Sequence, residues 1–371
     1  MELKNRSELV FLYDVRDANP NGDPDENKPR IDEETGINIV TDVRLKRTIR
    51  DYLHKFKGYD GSAEKDIFIR EIEYEPGKIQ DAKMRAKDFV NLAGDESQRD
   101  KEIITKFKNQ EKISKNDIKI IKDNIGKNLL KRAIDVRLFG ATVPLEFKKN
   151  EIEEKIREPI KTSLTFIGSV QFRFGRSLHK VETNYIKGTG AFASEAGKEQ
   201  KTFREEYILP YSLISFYGVI NENAAKATEL REEDINELMD GIWNGTKNLI
   251  TRSKFGQMPR FLMRVVYNEG NYHIGDLDKK IRLLDSEGKE VDKDGKDGKE
   301  IRYISDVKLD ITELVKTLKV KKDRIEKIQI EMNDDVVFKV NQVETKGKRL
   351  VEELGKLDEL KGKVEMLDLE K

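Results

Sequence analysis

The run ELVFLYDVR, Glu8–Arg16, concentrates Val, Leu, Phe and Tyr and is stopped by Pro20 and Gly22. Such a run reads as a β-strand, and the other apolar runs must be placed relative to it. Beyond the intervening loop, Asp42 can cap a helix whose Leu45, Ile49, Tyr52, Leu53 and Phe56 fall on one face. Residues 162–175, TSLTFIGSVQFRFG, alternate around Phe166, Ile167, Val170, Phe172 and Phe174 as one bent strand or two short ones. Ile208–Asn221 is strand-like again, with Pro210 suited to its start or to an edge. Glu232–Ile250 has the period of an amphipathic helix, and Arg260–Asn268 reads as a further strand.

The resulting order, β, α, β, β, α, β, predicts an α+β fold with a modified ferredoxin-like core over 1–275. Residues 57–135 form a mostly helical insertion in that core. From Ser97 to Arg132 it carries eleven Lys and Arg against five Asp and Glu. Residues 183–205 are polar and rich in Gly and Ala, the pattern of a long excursion. Residues 276–371 are expected as a peripheral C-terminal extension packed on or beside the core, with Asp285–Glu300 a charged turn and the tail from Lys319 a peripheral helix or short strand.

Composition narrows the class. The chain is 38% charged and 36% hydrophobic, a balance of soluble globular proteins when apolar runs recur throughout. Absence of cysteine removes disulfides and cysteine zinc sites and suits a reducing cytoplasm. No secretory leader or membrane span is expected. The 71 basic residues balance 71 acidic ones, so local charge has to decide whether a polyanion is a partner.

The loop DVRDANPNGDPDENKPR, Asp14–Arg30, imitates a calcium hand through Asp17, Asn19, Asn21 and Gly22. It places Lys28 where a bidentate Glu is required. Gly188–Glu199 has six residues between Gly190 and Gly197 where a phosphate loop has four. His54, His179 and His273 are isolated and read as surface or packing residues. Asn19, Asn21 and Gly22 therefore shape a turn, and no metal, cofactor or catalytic residue is expected.

Cations group instead. With Leu45, Ile49 and Leu53 turned inward, Lys46, Arg47, Arg50 and His54 spread over the opposite face of the helix, which reads either as a phosphate site after the loop or as an ordinary solvated face. Arg173 and Arg176 lie beside Phe172 and Phe174, and Lys198, Lys201 and Arg204 surround Phe203, a mixture that suits a groove following a nucleic-acid backbone, while alternating aromatics over 166–174 are equally expected of a sheet core.

NPNGDP, PRID, TG and TDVRLKRTIRDY, in order within Val10–Leu53, resemble the opening of CRISPR-associated Cascade backbone subunits, most closely the type I-B branch. SVQFRFGRSLHKVE from Ser169 and ILPYSLISFYG from Ile208 extend the resemblance to about residue 268. It implies a modified RNA-recognition-motif fold with a helical insertion and a projecting thumb hairpin near 176–207. It also implies a non-enzymatic scaffold stacking head to tail on CRISPR RNA, alongside other Cascade subunits, and presenting the guide to target DNA. The RNA contacts it implies are Arg44, Lys46, Arg47 and Arg50 of the helix, with Lys46 and Arg50 foremost, Lys187, Lys198, Lys201 and Arg204 of the thumb, and Lys28 and Arg30 of the loop. Type III relatives cut RNA with an aspartate in the corresponding loop, which leaves Asp17 or Asp23 as the rival, a metal-dependent endoribonuclease site.

Overall fold

The computed structural model describes residues 3–92, 94–154, 158–193, 201–268, 270–291 and 297–370; the side chains of 189–193, 201–204 and 297 are outside that description. The chain divides into two compact units, one of residues 1–3, 50–170 and 221–238, the other of residues 4–49, 171–220 and 239–371.

The second unit is built on a sheet that is antiparallel except for one parallel pair at its edge, Ile325–Met332 with Val364–Met366. β1 (Ser7–Ala18) leads to β2 (Ile37–Val40) and helix α1 (Asp42–Phe56). Later come β3 (Gly175–Lys180), β4 (Asn184–Ala193) and the long β5 (Lys201–Ile220). Helix α2 (Glu232–Lys247) and β6 (Gln257–Tyr267) follow, then β7 (Ile325–Met332) and β8 (Val364–Met366). The sheet order is β8, β7, β6, β1, β5, β3, β2. β1 is central because its first nine residues are all buried, so both faces and both edges must be covered. β1 pairs with β5 from Ser7↔Ile220 to Ala18↔Leu209 and with β6 on the other side.

α1 buries Leu45, Ile49 and Leu53 of the face its periodicity predicts, while Tyr52 is half-buried and Phe56, expected on that face, is exposed. It approaches α2 closely at Gly241, where an added Cβ would lie 2.9 Å from Cγ2 of Ile49. The mixed α+β class is as the sequence predicts.

Three boundaries differ from the sequence reading. First, 175–180 belongs to the sheet as β3, so the hairpin expected over 176–207 starts later. It consists of β4 and the first part of β5, paired from Asn184↔Ile208 to Lys201↔Ala193. Second, the C-terminal region is not peripheral. β7 pairs with β6 from Phe261↔Met332 to Tyr267↔Ile325. Leu277, Leu309, Leu314, Ile328, Ile330 and Phe338 share one core with Val10, Leu12 and Phe261. The alternating charges of IEKIQIEM conceal this because a strand needs only every second residue inside.

Third, Ile160–Ile167 does not join this sheet. It pairs with Gly140–Phe147 in a separate hairpin, and Val170–Phe172 is a second short strand. That hairpin belongs to the first unit, which is therefore longer than the insertion expected over 57–135. Its helices Gln98–Lys108 and Ile118–Arg132 bury Ile104, Ile121, Ile125 and Leu129 with Val143, Leu145 and Phe147 of the hairpin. Buried ion pairs bind this unit internally: Arg137 to Asp234 at 2.6 Å and Arg85 to Asp66 at 2.6 Å.

His179 is a packing residue. Its Nδ1 donates to the Gly298 carbonyl at 2.7 Å, so Nε2 accepts from the Leu213 N–H at 3.2 Å. Burial lowers its pKa. Folding then favours neutral imidazole, so the unfolded chain takes up the proton first and stability falls as pH drops below about 6.5. Urea denaturation from pH 7 to pH 5 is expected to show a steeper loss for the wild type than for His179→Gln, which keeps a donor and an acceptor. Equal slopes would remove His179 as the cause.

Candidate nucleic-acid interface

The loop after β1 is held by its own amides. Asn19 is buried; its N–H donates to the Ser253 carbonyl at 2.8 Å and its Nδ2 to the Asn27 carbonyl at 2.6 Å. Gly22 sits where a Cβ would lie 2.0 Å from Oδ1 of Asn27, so only glycine fits without moving that side chain. Asn21 Oδ1 accepts from both the N–H and the hydroxyl of Thr41, each at 2.9 Å, and so ties the turn to the entry of α1.

The acids of the loop have different settings. Asp14 is buried, accepting from the Tyr211 hydroxyl at 3.0 Å and Arg260 Nε at 2.9 Å. Burial raises its pKa against the lowering effect of Arg260. Asp23 Oδ1 caps the turn by accepting from the N–H groups of Glu26 at 2.8 Å and Asp25 at 3.1 Å. Those backbone bonds hold its carboxyl below the usual range. Asp17 is exposed, has φ of 48°, and lies 3.5 Å from Arg16. Among the described residues no three His, Asp or Glu side chains form a metal-binding group.

The cations expected to meet phosphate are only partly gathered. Lys28 lies over the Tyr207 ring, 4.9 Å from its centroid, and pairs with Glu26. Arg30 is half-buried and its carbonyl accepts from Ile39 N–H at 2.8 Å and Asn38 Nδ2 at 2.8 Å. On α1, Arg47 is exposed, while half-buried Arg44 donates to the Thr48 hydroxyl at 3.0 Å. Lys46 is half-buried and paired with Asp42 at 2.9 Å.

Arg50 is a correction. It is buried, not on the open face, and its Nε donates to Asp135 at 2.9 Å while its guanidinium lies 5.2 Å from the Phe139 ring centroid. A hydrophobic stripe wider than the one read from Leu45, Ile49 and Leu53 draws in its flank.

A second group lines a cleft of about 750 Å³ with Ile37, Phe172, Arg173, Phe174, Arg176 and Ser215 on its walls. Arg173 stacks over Tyr217 at 4.2 Å and pairs with Asp276 at 2.6 Å; Arg176 lies 3.6 Å from Asp32. On the hairpin, Lys187 pairs across the strands with Glu205 at 3.2 Å. Lys198, and the side chains of Lys201 and Arg204, lie outside the described residues.

Sequence reasoning missed the turn before β6. There Arg252 lies 3.8 Å from Glu206, and Lys254 Nζ donates to the Asn19 carbonyl at 3.1 Å. The signal was present as the basic–aromatic string RSKF beside a strand start.

Comparison with known proteins gives consistent relatives. A family model described as CRISPR-associated protein Cas7 matches residues 5–312. A CRISPR-associated protein Cas7 of Haloferax volcanii is 34% identical over 337 residues, covering 89% of this chain and 87% of its own. Among solved structures, a chain of a "CRISPR RNA-guided surveillance complex, pre-nicking" has a TM-score of 0.48 at 11% identity, covering 88% of this chain and 92% of that one. A chain of a "CRISPR RNA-guided surveillance complex" has a TM-score of 0.42 at 11% identity and covers 88% of each.

The setting of Arg50 is structural. Arg50→Ala leaves Asp135 as a buried charge without its cation and is expected to cost about 3–5 kcal/mol. Arg47→Ala, at an exposed position, is expected to stay within about 0.5 kcal/mol of wild type. Denaturant midpoints check both, and similar midpoints for the two variants would contradict the assignment.

Proposed function

Because the chain belongs to the Cas7 family, we propose that it is the guide-RNA-binding backbone subunit of a CRISPR surveillance complex of the type I-B Cascade kind. The observation that carries this reading is the placement of basic residues on and beside one amide-locked loop: Lys28 within it, Lys254 bonded to its Asn19 carbonyl, and Arg44 and exposed Arg47 on the helix that follows. Cations on a rigid loop and the first turns of a helix suit a sugar-phosphate backbone, which is bound by charge without regard to base sequence.

The strand order β6, β1, β5, β3, with α1 after β1 and α2 between β5 and β6, supports a modified ferredoxin-like or RNA-recognition-motif core, and the β4–β5 hairpin supports the thumb. In this reading copies of the chain contact one another head to tail along CRISPR RNA. The contact is heterologous and grows an open helix, and other Cascade subunits complete the assembly in the cytoplasm. Target DNA is then recognised by pairing with the guide while the protein holds backbone and shape. Among the described residues no helix is long and apolar enough to cross a membrane.

We read the role as non-enzymatic. The engagement of Asp23 by two backbone N–H groups favours turn-shaping over metal chemistry, and a magnesium-dependent cleavage assay on RNA annealed to the guide is expected to show no product. Cleavage lost in Asp17→Ala or Asp23→Ala would establish the endoribonuclease instead.

Protein made with its guide and partner subunits is expected to carry RNA of defined length, protected from nuclease at a regular interval. Absence of RNA would end the proposal. Arg44→Ala with Arg47→Ala is expected to weaken RNA binding irrespective of sequence and to lower the salt slope by about 1.4, two single-strand phosphate contacts. An unchanged slope would take both residues out of the interface.

A further inference from the structure

The cleft of about 750 Å³ on the second unit is walled mainly by apolar side chains: Ile37, Phe172, Leu178, Ile281 and the exposed Phe174. Such walls offer a phosphate little and the face of a flat ring a good deal. Two polar atoms in them lack hydrogen-bond partners. Ser215 is buried, and its Oγ bonds to nothing among the described residues. Asp278 Oδ1 likewise accepts no hydrogen bond there, with Arg173 Nη1 standing off at 3.9 Å.

The other charges on the cleft are matched more closely: Arg173 with Asp276 at 2.6 Å, Lys279 with Asp276 at 3.2 Å, Arg176 with Asp32 at 3.6 Å. Burial raises the pKa of Asp278, and Arg173 offsets that only in part. An acceptor withdrawn from water without a donor costs stability, and a ligand that brings an N–H to it recovers the cost.

The walls are held by the sheet. Ser215 of β5 and Arg176 of β3 are direct cross-strand partners, so their side chains share one face. Arg173 is fixed by its N–H on the Tyr217 carbonyl at 2.9 Å and by its guanidinium over the Tyr217 ring at 4.2 Å.

We propose that this cleft binds a nucleobase by its hydrogen-bonding edge, with guanine preferred. The ring lies against Phe172 and Phe174, its N1–H and 2-amino group donate to Asp278, and the Ser215 hydroxyl donates to O6. A carboxylate only accepts, and guanine is the base that sets two N–H donors side by side next to an acceptor. The assignment goes beyond the backbone contacts proposed above and does not depend on them, since the base can belong to a free nucleotide or to an RNA strand.

The full chain is titrated calorimetrically with GMP, IMP and AMP, whose common ribose phosphate cancels in the comparison. GMP is expected to bind about tenfold more tightly than IMP, which lacks the 2-amino group, and more tightly again than AMP. Asp278→Asn removes the charge, and Phe174→Ala removes stacking surface at an exposed position; each is expected to lose about tenfold in GMP affinity. Lys78→Met, in the exposed hairpin where Lys78 pairs with Glu75, is the control and is expected to match wild type.

No binding of GMP, equal affinity for GMP and AMP, or GMP affinity unchanged in both Asp278→Asn and Phe174→Ala would overturn the proposal. So would binding of N-acetyltryptophanamide in place of GMP, which would give the cleft to a protein partner. The source of the base is read with a uridine-only RNA strand and the same strand carrying one guanosine. A preference for the second that Asp278→Asn abolishes places the base on RNA; selectivity for GMP without that preference places it on a free nucleotide. If wild type selected GMP but bound no RNA, the function reading would fall and the base site would stand.

Discussion

Glu8 lies at the middle of the sheet with no exposure, and its carboxylate collects four donors: the hydroxyl of Tyr217 at 2.5 Å, that of Tyr267, and the N–H groups of Ile274 and Gly275, each at 2.8 Å. Tyr217 belongs to β5, Tyr267 to β6 and residues 274–275 to the segment beyond it. One charge on β1 therefore fixes the strands on both its sides. Burial together with the carboxylate pushes both phenols above their ordinary pKa, so both keep their donated protons. A buried carboxylate is tolerable only when its lone pairs are filled in this way. Because β1 alternates side chains with period two, a slip of one residue would turn Glu8 to the opposite face and strand all four donors. The same register carries Asp14 to Tyr211 and Arg260 at the other end of β1, and hence sets where the loop from Asn19 begins.

Local pattern made part of this legible. β1, α1, β5, α2 and β6 stand near where apolar density and helical period put them. Long-range pairing was not legible. Nothing near Arg50 in sequence announces Asp135, 85 residues away, so a buried cation read as an exposed one. Ile160–Ile167 alternates half-buried and exposed positions, a pattern that serves a separate hairpin as well as a main-sheet strand, and periodicity alone does not choose. β7 was concealed for the opposite reason: its lysine, glutamine and glutamates interrupt an apolar face that is nevertheless continuous through Ile325, Ile328, Ile330 and Met332.

A chain of zero net charge can still present a positive site, and the way its acids are spent explains how. Around the loop, Asp14 is committed to Arg260 and Tyr211, Asp23 to backbone N–H groups, and Asp42 to Lys46. In the first unit Asp66, Asp135 and Asp234 are committed to buried arginines. Carboxylates bound this tightly add their charge to the total while much of their field is offset by the cations and N–H groups they hold. Local charge is then set by placement rather than by the total, and partly buried pairs are screened by salt less than exposed charges are.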